Sequence, residues 1–143
     1  MYSATGPVGN DSAHTGETMN GNFRASNRRE SFRHALAGIG ILVRTQRNAW
    51  IHAAATLAVV AAGLALGVSA PAWCWLVAAI AAVWTAEALN TALEFLADAA
   101  SPEFHPLVKK SKDVAAAAVL IAAMGAAAIG LLVLGPYVMA WVG

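Results

Sequence analysis

From Asn48 to Ala86 the chain carries no Lys, Arg, Asp or Glu, and it carries none again from Val114 to Gly143. Uncharged apolar runs of this length exceed what a small soluble core can bury, and they match the demand of a bilayer, about 20 residues per helical crossing of a ~30 Å hydrocarbon core. The first run is interrupted at Gly67-Val-Ser-Ala-Pro71, a turn signal. The pattern therefore predicts two spans joined by a tight turn, at about 49–68 and 72–98, and a third at about 113–135. Charged residues make up 12% of the 143-residue chain, half the usual share of roughly a quarter in soluble domains. That argues against a soluble enzyme, and no nucleic-acid partner is expected. The fold class is an all-α membrane protein.

Ahead of the spans the composition changes twice. Residues 1–26 are mostly Gly, Ser, Thr, Asn and other polar groups. They bury too little apolar surface to offset ordering entropy, so a disordered tail without a secretory signal is expected. Residues 27–143 form the membrane domain. Asn27-Arg-Arg-Glu30 is a capping sequence, and Phe32, Leu36, Ile39 and Val43 then share one helical stripe, with Arg28, Arg29 and Arg33 opposite. A basic amphipathic surface helix over about 27–45 is predicted, with a break near Gly38 and Gly40. Trp50, Trp73 and Trp75 fall near span ends, as interfacial aromatics do. Cys74 is the single cysteine, which excludes an intrachain disulfide and reads as a packing residue.

The basic residues set the expected orientation. Arg24, Arg28, Arg29, Arg33, Arg44 and Arg47 precede the first span, and Lys109, Lys110 and Lys112 lie between the second and third. By the positive-inside rule the N-terminus and the 99–112 loop are cytoplasmic and the C-terminus is outside. The expected location is the cytoplasmic membrane, the inner membrane in a bacterium.

Against this background the acids stand out. Glu87, Asn90, Glu94 and Asp98 recur along one face of the second span near its cytoplasmic end, and Lys112-Asp113 opens the third. Such residues can be helix ends wetting an interface. Several acids and an amide on one stripe, beginning inside an apolar segment, instead mark a functional site. Carboxylates with amide oxygens suit Mg²⁺, which substrate phosphates complete. A lysine binds phosphate as a point charge, and a further carboxylate accepts a hydroxyl proton. These are the parts of phosphoryl transfer, at a depth suited to a lipid hydroxyl. No Walker A or kinase glycine-rich loop is present in the sequence.

In Ser31-Phe-Arg-His-Ala-Leu-Ala-Gly38-Ile, Arg47-Asn-Ala-Trp-Ile-His52, Glu87-Ala-Leu-Asn90-Thr-Ala-Leu-Glu94 and Pro102-Glu-Phe-His105-Pro through Val119-Leu, the chain resembles the small prokaryotic lipid kinases, the diacylglycerol kinase and undecaprenol kinase family, over about residues 27–135. The resemblance implies a homotrimer with sites formed between subunits. It implies direct in-line transfer of the γ-phosphate of ATP, with Mg²⁺, to a membrane lipid alcohol. The Arg47-Asn-x-x-Ile-His52 form favours undecaprenol over diacylglycerol. By position, the resemblance makes Glu87 the general base and Glu94 a metal ligand. Lys112, with Asp98, Asp113, Glu103 and His105, would serve the nucleotide, and Asn90 would order the site. Family members commonly carry a second metal-binding Glu just before Arg-Asn. This chain has Gln46 there, a weaker ligand.

A competing reading is a non-catalytic membrane protein, a transport or assembly subunit, or a weakened pseudoenzyme of the same fold. A transport pathway needs polar groups near the bilayer midplane, and the middles of spans one and three are expected to offer none. Among the histidines, His52, one turn inside the first span, reads as a packing or hydrogen-bonding residue. His34 reads as polar-face and His105 as loop.

Overall fold

The computed structural model describes residues 28–143, and within them the chain is four helices in sequence: α1 Arg28–Thr45, α2 Arg47–Ala65, α3 Ala70–Ala100 and α4 Pro106–Val142. No strand occurs among the described residues. Three of the helices, α2, α3 and α4, are long and apolar enough to cross a membrane, and the protein is a membrane protein. The expected disordered tail and the Asn27 cap lie outside the described residues.

The surface helix α1 carries Glu30 in its first turn and Arg44 in its last, both favourable to the helix dipole. It runs unbroken through Gly38 and Gly40, against the expected break. A glycine costs a helix only about 1 kcal/mol. The helix is anchored by Leu42, which is buried, whereas Phe32, Leu36 and Ile39 of the stripe stay exposed. It ends at Gln46, whose extended backbone (φ −105°, ψ 121°) redirects the chain into α2.

The α2–α3 turn is a Schellman motif. Val68 N–H donates to Gly63 O at 3.0 Å and Gly67 N–H to Leu64 O at 3.3 Å, and Gly67 holds a left-handed φ of 62°. Pro71 sits in the first turn of α3, where a missing N–H costs nothing. Tyr137 clamps this turn to α4: its hydroxyl accepts from Ser69 N–H at 3.2 Å and donates to Ser69 Oγ at 3.0 Å.

That clamp lies beyond the expected end of the third span. Pro136 falls inside α4, which continues to Val142. A proline is tolerated in a lipid-embedded helix because neighbouring groups and small adjustments re-satisfy the freed backbone. The 31 residues of α3 and 37 of α4 also exceed a single bilayer crossing. Residues 101–105 join the two.

Packing is densest between α3 and α4, with α2 laid on α3. Leu76, Ala79, Val83 and Val119 form a thin apolar core. Trp73, expected in an interfacial belt, is turned partly inward over Gly63. A Cβ on Gly63 would lie 2.7 Å from the Trp73 ring, so glycine is what lets α2 and α3 meet there. Trp50 and Trp75 are exposed. Large apolar side chains such as Leu57, Leu64, Leu131 and Leu132 remain uncovered, as lipid or further copies require.

Candidate functional site

Three polar residues of α3 point into the bundle. Glu87, Asn90 and Thr91 are 0%, 5% and 4% exposed, the only buried polar side chains among the described residues. Their spacing places them on one face, and Thr91 Oγ1 donates back to Glu87 O at 2.9 Å. Glu94, a turn further on, is half-buried. Asn90 Nδ2 donates to Glu94 Oε1 at 3.0 Å, and Gln46 Nε2, from the α1–α2 junction, donates to Oε2 at 3.3 Å. Both oxygens of this carboxylate are thus held by neutral amides.

Glu87 is in a different situation. Neither of its carboxylate oxygens has a hydrogen-bond partner among the described residues. His52 of α2 faces it, with Nε2 3.8 Å from Oε2. His52 also sits edge-on to Trp84, ring centroids 6.4 Å apart. Trp84 Nε1 donates to Thr56 Oγ1 at 3.1 Å. Thr56 lies in the middle of α2, so the expectation that this span lacks polar groups there does not hold. Its hydroxyl accepts from Trp84.

Two cavities meet at His52. One, of about 240 Å³, opens onto Asn48, His52, Asn90 and Glu94, with Val119 of α4 on its far side. The other, of about 440 Å³, runs from His52 past Thr56 and Val83 to Gly130 and Leu134 and is almost wholly apolar.

The remaining predicted site residues lie further along α3 and α4. Asp98 is exposed and accepts from Lys112 Nζ at 2.9 Å. Asp113, adjacent to Lys112 in sequence, pairs instead with Lys109 Nζ at 2.6 Å. His105 Nδ1 caps α4 by accepting from Leu107 N–H at 3.2 Å, and the Glu103 carbonyl accepts from Ser101 Oγ at 3.1 Å. Both residues are exposed with local contacts. The structure therefore brings together Gln46, Asn90 and Glu94, sets Glu87 beside them on α3, and keeps Asp98–Lys112 and Asp113–Lys109 as separate exposed pairs. His52, Trp84 and Thr56 extend the site beyond the sequence reading. The apolar setting of His52 was its one sequence signal.

No group of three His, Cys, Asp or Glu side chains among the described residues is arranged to hold a metal ion. The donor set at Glu94 still suits a hard cation. It offers one carboxylate and the carbonyl oxygen of Asn90, which is buried and without a partner among the described residues. Mg²⁺ is commonly held by one or two carboxylates and completed by phosphate oxygens and water.

Fold and site together define an integral-membrane helical protein with a buried acid-amide cluster near one end of its second span. The family model described as prokaryotic diacylglycerol kinase matches residues 33–134, and the chain belongs to that family. This places it among the membrane lipid kinases. It is 40% identical over 107 residues to the undecaprenol kinase of Bacillus subtilis (strain 168), covering 75% of this chain and 87% of that protein. It is 42% identical over 101 residues to the diacylglycerol kinase of Synechocystis sp., covering 70% of this chain and 58% of that one. No solved structure matches it.

Proposed function

We propose that the protein transfers the γ-phosphate of ATP to the hydroxyl of a membrane lipid alcohol. The observation that carries this is Glu87, a fully buried carboxylate with both oxygens unpartnered among the described residues, one turn from the Asn90–Glu94 pair. A carboxylate in that state is suited to accept a proton from a hydroxyl delivered through the bilayer. In this step the lipid O–H proton passes to a Glu87 oxygen. The lipid oxygen forms a bond to the γ-phosphorus, and the bond between that phosphorus and the bridging oxygen breaks to release ADP.

Glu94 and Gln46, with Asn90 beside them, would hold Mg²⁺ once the two amides turn a carbonyl oxygen in place of the N–H that each now gives the carboxylate. The chemistry such an ion supplies is neutralisation of phosphate charge. Lys112, now paired with Asp98, would bind phosphate oxygens, with Asp98, Asp113, Glu103 and His105 serving the nucleotide. Undecaprenol is the favoured acceptor, since the undecaprenol kinase relative is matched over nearly its whole length. The apolar cavity beside His52 suits the tail of such a lipid.

The working unit we propose is a homotrimer, whose contacts would cover apolar surface that one chain leaves exposed. The orientation is N-terminus and 99–112 loop cytoplasmic. Gln46, in place of a second carboxylate, favours one competing reading, a weakened enzyme.

The test is transfer from radiolabelled ATP with Mg²⁺ in mixed micelles, with undecaprenol and diacylglycerol side by side. Transfer to one lipid, lost in Glu87→Gln, supports the proposal and names the acceptor. No transfer to either lipid from folded protein at high Mg²⁺ overturns it.

A further inference from the structure

We infer that His52 is the positioning residue of Glu87, an inference that rests on the kinase reading above. Glu87 Oε2 and His52 Nε2 lie 3.8 Å apart, and each lacks a hydrogen-bond partner among the described residues. A buried carboxylate without a partner is strongly disfavoured, and His52 is the one described side chain placed to pair with it. The separation is that of an ion pair rather than a hydrogen bond, and catalytic contacts of this kind commonly tighten when substrate arrives.

The imidazole is itself braced. Its ring stands at 66° to Trp84, and Trp84 is fixed by its N–H to Thr56 Oγ1. Thr56 and His52 are one turn apart on α2, so the brace and the imidazole move together. The chain Thr56–Trp84–His52–Glu87 crosses three times between α2 and α3, which ties the carboxylate's orientation to the packing of those helices. With His52 on Oε2, Oε1 is left to meet the acceptor hydroxyl. Histidine suits this task better than lysine or arginine. It supplies an N–H without a permanent charge, which a membrane-spanning helix would have to desolvate. The side chains that α4 presents to the His52 cavity are Ala116, Val119, Leu120 and Ala123, all apolar. Glu94, the acid that lines that cavity, is occupied by two amides.

The test compares His52→Phe, which keeps a ring against Trp84, with His52→Gln, which restores an N–H donor. In mixed micelles, His52→Phe is expected to lower kcat about 100-fold, with KM for ATP and lipid within ~2-fold of wild type, the range seen when a supporting partner is lost. His52→Gln should recover to within about tenfold of wild type. A His52→Phe enzyme within ~3-fold of wild-type kcat, or a His52→Gln enzyme as slow as His52→Phe, overturns the assignment.

A second readout does not depend on turnover. The His52 ring nitrogens are followed by ¹⁵N NMR of histidine-labelled protein and assigned by their loss in His52→Phe. They should shift in Glu87→Gln, and unmoved signals overturn the pairing. If wild type transfers no phosphate, the kinase reading falls by itself, and the NMR comparison alone decides whether the two residues are paired.

Discussion

Gln46 and Glu94 are 48 residues apart in sequence and share a hydrogen bond of 3.3 Å, the amide of one closing on the carboxylate of the other. The junction between α1 and α2 is thereby tied to the C-terminal half of α3. An amide at that place gives the Glu94 carboxylate a neutral N–H donor. A carboxylate there would repel it until a cation bridged the two. Gln46→Glu is therefore expected to lower the Mg²⁺ concentration for half-maximal transfer by about tenfold. It should also make thermal stability more Mg²⁺-dependent. A Mg²⁺ titration of initial rate checks the first effect, and an unchanged midpoint would remove Gln46 from the metal site.

Trp84 and Thr56 share a hydrogen bond within the spanning part of α2 and α3. Side-chain hydrogen bonds inside membrane proteins contribute about 0.6 kcal/mol on average and up to ~1.7. Trp84→Phe and Thr56→Val should each lower stability in detergent by an amount of that order. The double variant should cost less than the sum, because the second change removes a bond already lost. Strict additivity across the four proteins would show that the bond contributes nothing.

Gly63 supports a close approach with no slack. A methyl added there would stand 2.7 Å from the Trp73 ring. Overpacking of this kind typically costs about 1–3 kcal/mol, so Gly63→Ala should lower the melting temperature. The cost should shrink on a Trp73→Phe background, where the outer ring atoms are gone. Equal losses in both backgrounds would place the strain elsewhere.

These cross-helix relationships mark the limit of what the sequence made legible. The spans could be read because charge is absent from Asn48 to Ala86 and beyond Val114, and because Gly67 and Pro71 punctuate the first run. Glu87, Asn90 and Glu94 could be placed on one face because a single helix carries them. Spacing gave no access to His52 facing Glu87, or Gln46 facing Glu94, since each pair depends on how two helices pack. The partner of Asp113 was missed for a local reason. Its neighbour Lys112 lies about 100° away around α4, and Lys109 is one turn back on the same face. The break expected near Gly38 and Gly40 and the stop expected before Pro136 do not occur: these are weak breakers where a helix has few alternatives.

The two lysine pairs separate a nucleotide role from a surface one. Lys112 bonds to Asp98 across α3 and α4, and Lys109 bonds to Asp113 within α4. Both pairs are largely exposed, where ion pairs add little stability, so Lys112→Ala and Lys109→Ala should melt close to wild type. Their kinetics should differ. A lysine that reaches across to the acid-bearing helix is suited to meet phosphate oxygens there, and losing it should raise KM for ATP about tenfold or more. Lys109, held on its own helix, should leave KM for ATP within ~2-fold of wild type. Asp98→Asn adds a further arm: it releases Lys112 from its internal partner, and KM for ATP should not rise as it does in Lys112→Ala. Steady-state rates at varied ATP and saturating lipid measure all three. Equal effects of Lys109 and Lys112 would mean that the region attracts nucleotide only by its general positive charge.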